Sequence, residues 1–241
     1  MQTALLTIAG LLLGPWLHTL AIQAGADLPF RLNAAHCRVC DQPVSTFDLR
    51  CSSCGRTRWR EWLTGLVAAA GFAAMSWRFG TDPVLPAYVW LVGTGVVLIL
   101  TDFDHFRIPN RILYPATLVS VVLLATSALP TGRAPDLLRG MLAGLAYGLF
   151  YFLVFLLARG RGLGFGDVKL AVMLGLYAGF QSWPTLVLAL FATAIIGGAA
   201  AIILLGLGRG RKAELPYGPP LIMGTWLAIV LGPTFLSWYL G

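Results

Sequence analysis

Charge is scarce in this chain. Ten acidic and seventeen basic side chains among 241 residues hold the charged fraction to 11%, about half of what a soluble domain carries. Hydrophobic residues make up 58% and the mean hydropathy is +0.79. A water-soluble globular fold is therefore excluded, and an integral membrane protein is implied. The first apolar segment, TALLTIAGLLLGPWLHTLAIQ, lacks a basic n-region and a small-residue cleavage site, so it reads as a retained helix and not as a signal peptide. Internal repeats and low-complexity tracts are also missing. The formal charge of +7 raises nucleic acid as a partner, but no basic stripe interleaves with aromatics, so none is expected.

Long apolar runs are what the chain does have. They cover about 3–22, 62–79, 84–101, 111–129, 137–158, 168–181, 183–206 and 217–240, most of them near the roughly 20 residues that a helix needs to cross a bilayer core. The expected fold is all-α, a polytopic membrane helix bundle of about eight transmembrane helices. Seven is the alternative, because 168–181 is short and runs through QSWP into the next stretch as a hairpin or a re-entrant element. Fourteen of the seventeen basic residues fall in alternate loops, at 23–61, 102–111, 159–169 and 207–216, and only Arg78, Arg133 and Arg139 lie in the others. The positive-inside rule places the rich set in the cytoplasm and both termini outside. The positive charge is then mainly a topology signal.

All four cysteines lie in the 23–61 loop. Cys37 and Cys40 form one CxxC, Cys51 and Cys54 a second, with ten residues between them. Two such knuckles offer four thiolates to one tetrahedral ion, and a metal supplies folding energy to a loop too short and polar to bury a core. Two disulfides or a redox CxxC are the alternatives. A reducing cytoplasm disfavours the first, and the absence of a βαβ pattern disfavours the second. A structural zinc knuckle is expected, although another thiophilic metal would read identically. His36, beside Cys37, is a bystander or an alternative ligand.

With only ten acids, those at membrane boundaries can be weighed singly. Asp102 ends the third apolar run, and Asp167, in GLGFGDVKLAV, opens the sixth. Both map to cytoplasmic helix ends, where an ionisable group is costly unless it faces water or a partner. If they meet, one proton is shared between them, which is what aspartic proteolysis requires. The charged carboxylate activates water while its protonated partner polarises the scissile carbonyl. Gly164 and Gly166 would let backbone approach a substrate strand. The plainer readings are a helix N-terminus for GFGD, an ion pair with Arg107 for Asp102, a solvated or salt-bridged acid for Asp104, and a boundary marker for Lys169.

These residues resemble the landmarks of the bacterial type IV prepilin peptidases, a family of GxGD-type intramembrane aspartyl proteases. Asp102-x5-Ile108-Pro109-Asn110 resembles their first acidic motif, and GFGDVK at 164–169 their GxGDxK. The twin CxxC loop, RWREWLTG at 58–65 and LPYGPPLIMG at 215–224 follow the family's order. The resemblance implies Asp102 and Asp167 as the catalytic pair and Cys37, Cys40, Cys51 and Cys54 as metal ligands. It also implies cleavage of leader peptides from type IV prepilins or type II secretion pseudopilins at the cytoplasmic face of the bacterial inner membrane. The expected organisation is a first transmembrane helix at 1–22, a metal-binding loop at 23–61 and a membrane-embedded peptidase core at 62–241. Many members also N-methylate the new terminus with S-adenosylmethionine. Here the spacing between CxxC pairs is shorter than in the family's longer form, and no glycine-rich nucleotide fingerprint is present. His18 stands where the family has Asn, and a polar contact within the bundle is expected of it. The runner-up is an ion- or proton-coupled transporter with Asp102 and Asp167 as its ion site. A non-catalytic assembly factor that docks through its zinc loop is a third reading.

Overall fold

A computed structural model of the chain describes residues 2–30, 35–36, 40, 42–44, 48, 50–55, 57–159, 162–206 and 216–240. Its framework is eight helices: α1 (Gln2–Gly25), α2 (Trp59–Phe79), α3 (Leu85–His105), α4 (Asn110–Ala128), α5 (Ala134–Leu157), α6 (Phe165–Gln181), α7 (Trp183–Gly206) and α8 (Gly218–Leu240). Each apolar run read from the sequence became a helix. Among the described residues, α1, α3, α4, α5 and α7 are long and apolar enough to cross a membrane by themselves. The other three differ for visible reasons: α2 is charged at both ends, α6 has only 17 residues, and the described apolar part of α8 is Gly218–Gly232. The protein is a multi-pass membrane protein on a helical framework.

The chain forms two compact units, Met1–His105 and Phe106–Gly241. In the first, α1 packs mainly on α2, and both touch α3. Pro15 lies inside α1 and cannot donate to Leu11, four residues back. The freed Leu11 carbonyl faces Gly65 of α2, where a Cβ would come within 2.6 Å of it. Gly14 meets the backbone of Gly65, and a Cβ on Gly10 would lie 2.7 Å from Ala69 backbone atoms. Small residues at one level of both helices thus allow backbone-to-backbone approach, the usual basis of helix pairing in lipid.

Between α1 and α2 the strands β1 (Ala35–His36) and β2 (Pro43–Val44) pair antiparallel, Ala35 with Val44 and His36 with Pro43. A single bridge joins Arg50 to Thr57. The second CxxC, Cys51 to Cys54, falls inside the reversal that this bridge closes, where the Gly55 N–H donates to the Cys51 carbonyl at 2.9 Å.

In the second unit α6 is the central helix, packed on α5, α8, α7 and α4. Twelve of its 17 residues are buried. Gly140 and Gly144 of α5 face Gly175 and Gly179 of α6. A Cβ on Gly175 would lie 2.7 Å from the Tyr147 Cβ and 2.9 Å from the Ala143 carbonyl. At its far end, Arg139 of α5 donates to the Gly179, Phe180 and Gln181 carbonyls at 2.8, 2.6 and 2.9 Å. One guanidinium thus satisfies three of the carbonyls that a helix C-terminus leaves open. Ser182 alone separates α6 from α7, and its hydroxyl accepts the Thr185 N–H at 3.1 Å as the cap of α7.

Candidate active site and metal centre

Asp167 lies in the first turn of α6 because the glycine run ahead of it can turn sharply. Gly162 has φ +80°, a value that side chains avoid. Leu163 is buried, and Gly164 is extended with φ −82° and ψ 152°. The Gly164 N–H donates to Asp167 Oδ2 at 2.9 Å, and the Asp167 N–H returns to the Gly164 carbonyl at 3.1 Å. This reciprocal pair fixes the carboxylate's rotamer in the manner of a capping box. Asp167 is 6% exposed. The helix-start reading of GFGD is correct as local structure, and the burial adds what that reading lacks.

One other landmark packs against this turn within the same unit, and a second lies near enough to feel its charge. A Cβ on Gly166 would lie 3.1 Å from the Ile108 Cβ, and Lys169 Nζ donates to Asn110 Oδ1 at 3.0 Å. The Ile108-Pro109-Asn110 tail of the first acidic motif is thus in contact with the second motif. Tyr217, of LPYGPP, is the other neighbour. Burial pushes its phenol above the ordinary value, a hydrogen bond with Tyr151 opposes that, and the negative field of Asp167 adds to it. The Tyr151 and Tyr217 rings lie 6.0 Å apart between centroids. The sequence offered Tyr217 only as part of a family landmark.

Asp102 sits in the last turn of α3, 5% exposed and beside the fully buried Thr101. The next acid along, Asp104, pairs with Arg60 of α2 at 3.0 Å and is the salt-bridged acid expected of it. That bridge is partly solvated and contributes about 1 kcal/mol or less. His18 is buried in α1 and hydrogen-bonds Thr64 Oγ1 through Nδ1 at 3.0 Å. Because Thr64 donates its own proton to the Arg60 carbonyl at 2.9 Å, the imidazole must be the donor. His18 therefore makes its polar contact with the threonine of RWREWLTG.

In the loop, the Cys40, Cys51 and Cys54 sulfurs all lie within 4.8 Å of one another, and Cys40 and Cys51 are 3.5 Å apart. Thiolates about 2.3 Å from a tetrahedral ion stand about 3.8 Å from each other, so the three fit a metal centre. Cys37, the fourth expected ligand, lies outside the described residues, as does the side chain of His36. Cys51 and Val44 form a small buried core. Backbone N–H groups of Cys54 and Ser53 hold the Cys51 thiol below its ordinary value of 9.0, outweighing burial. That favours the thiolate, which is the form that binds metal.

Glycine-packed helices, a buried carboxylate fixed at a helix start and a cluster of three thiols describe a polytopic membrane protein with a loop whose cysteines could hold a metal. Known proteins narrow this further. A profile of the type IV leader peptidase family matches residues 89–202. A protein named prepilin leader peptidase/N-methyltransferase from Bacillus subtilis (strain 168) is 29% identical over 257 aligned residues, spanning 98% of this chain and 97% of that one. One of the same name from Stutzerimonas stutzeri is 25% identical over 90% of this chain and 78% of its own. A third, from Pseudomonas aeruginosa, is 28% identical over 79% and 65%. No solved structure matches the chain. These similarities support a peptidase of the type IV leader peptidase kind, with the profile match confined to residues 89–202.

Proposed function

We propose that this protein is an aspartic endopeptidase that removes the leader peptide from prepilin-type substrates, with Asp102 and Asp167 as its catalytic pair. One observation carries the reading: the family match at residues 89–202 spans both acids. The match favours peptidase chemistry over the ion-coupled transporter. One carboxylate takes a proton from water while the other, protonated, polarises the scissile carbonyl, and the proton then passes to the leaving amine. The Gly164 N–H keeps Asp167 in one orientation throughout. The cleavage site would lie at the cytoplasmic face of a bacterial inner membrane, as the distribution of basic residues supports.

Zinc is the ion proposed for Cys40, Cys51 and Cys54, with Cys37 as the fourth ligand, and its role is structural. It would tie the two CxxC segments together and takes no part in the cleavage step. The Bacillus relative carries both activities in its name and aligns over nearly its full length, so methyl transfer from S-adenosylmethionine is the second activity to test. The full-length chain, reconstituted in lipid vesicles, is incubated with a prepilin, with and without S-adenosylmethionine. Mass spectrometry should find a product that has lost its leader, and one added methyl would establish the second activity. Intact substrate across several prepilins would refute the peptidase reading.

A further inference from the structure

We propose that Lys169 is a positioning residue of this site, docking the tail of the first acidic motif against the helical turn that carries Asp167. The inference rests on the peptidase reading. Lys169 is two residues from Asp167, a spacing at which side chains on a helix do not face each other, so α6 itself aims the two apart. The ammonium instead meets three neutral partners. It donates to Asn110 Oδ1 at 3.0 Å and lies 5.0 Å from the Phe165 ring centroid and 5.2 Å from that of Tyr114. Both ring distances are within cation–π range.

The bond to Asn110 is exposed, so it does not exclude water; what it does is bridge α6 to the first turns of α4. Asn110 opens α4, and residues 103–109 are all the chain that separates it from Asp102. Gly166 against Ile108, at 3.1 Å for a Cβ, is the apolar half of the same seam. The seam fixes the second half of one acidic motif on the first turn of the other. A shift of about 1 Å in such a support can cost about a hundredfold in rate.

The test uses the full-length protein in lipid vesicles, with kcat and KM for prepilin cleavage normalised to folded protein. Lys169→Met keeps the stem and removes the ammonium, Asn110→Leu removes its acceptor, and Asn110→Asp keeps the acceptor. Lys169→Met and Asn110→Leu should each lower kcat about tenfold or more with KM within about twofold of wild type. The double variant should be no worse than either single one, and Asn110→Asp should stay near wild type. A thermal-midpoint cycle over wild type, Lys169→Met, Asn110→Leu and their double variant reads the contact without any cleavage, and should be non-additive. Additive midpoints, or a Lys169→Met enzyme with wild-type kcat, would overturn the proposal while leaving the peptidase reading intact. A wild-type protein that cuts no prepilin would overturn both, and is told apart by that lack of any cleavage.

Discussion

Helices α6 and α7 follow one another with only Ser182 between them, yet their surroundings are opposite. Twelve of the 17 residues of α6 are buried, against five of the 24 in α7, where Phe191, Ile195 and Ile202 are each more than 60% exposed. The longer, continuously apolar helix is the one turned outward. Lipid tails are as apolar as leucine, so greasiness draws no helix inward. Close packing of small residues and satisfied polar groups do. Helix α6 has both, through Gly175 and Gly179 against α5 and through Arg139 at its end. At about 1.5 Å per residue it spans about 25 Å, short of the roughly 30 Å hydrocarbon core, and Arg139 lets it stop there. The proposed catalytic acid is thus carried by the helix that protein surrounds, where its orientation can be fixed.

This contrast can be broken, and the largest effect is expected at the glycines. Gly175→Leu should disrupt α5–α6 packing, because its Cβ would enter space held by Tyr147 and the Ala143 carbonyl. The cost should be about 3 kcal/mol or more, read as lost thermal stability and aggregation in detergent. Arg139→Met should cost about 2–3 kcal/mol by leaving α6 carbonyls unpaired. Arg139→Lys should recover only part of that, because an ammonium lacks the planar fork. Metal removal sharpens a different boundary. Chelation, or Cys51→Ser, should open the 26–58 loop to proteolysis and abolish bound metal by elemental mass spectrometry, while helical circular dichroism changes little. His18→Leu should cost about 1 kcal/mol through the lost bond to Thr64. Gly198→Leu in α7, where a Cβ meets nothing within 4 Å, should stay within about 0.5 kcal/mol of wild type. If Gly175→Leu and Gly198→Leu behave alike, the contrast between the two helices is wrong.

Hydrophobic run length alone located all eight helices, and the break at QSWP is real, since Ser182 ends one helix and caps the next. The gathering of Cys40, Cys51 and Cys54 was equally legible in the CxxC spacing. Partner choice was not. Arg139 read only as one of three positives on the sparse side, since nothing near it in sequence announces three carbonyls forty residues on. Lys169 read as a boundary marker because Asn110 is 59 residues away. The glycines of α5 and α6 are visible as a spacing, but their matching depends on a helix pairing that periodicity does not encode. His18 departed from the family pattern, and only the packing of α1 on α2 shows why a ring donor suits that place.

The central claim is that two acids, Asp102 and Asp167, perform the hydrolysis. Its most direct test compares prepilin cleavage by the reconstituted wild type with Asp102→Asn and Asp167→Asn, each verified for helix content and thermal midpoint. Each substitution should lower the cleavage rate by about 10²–10⁴-fold or more with the fold retained. Near-wild-type cleavage by either well-folded variant would contradict the two-aspartate account.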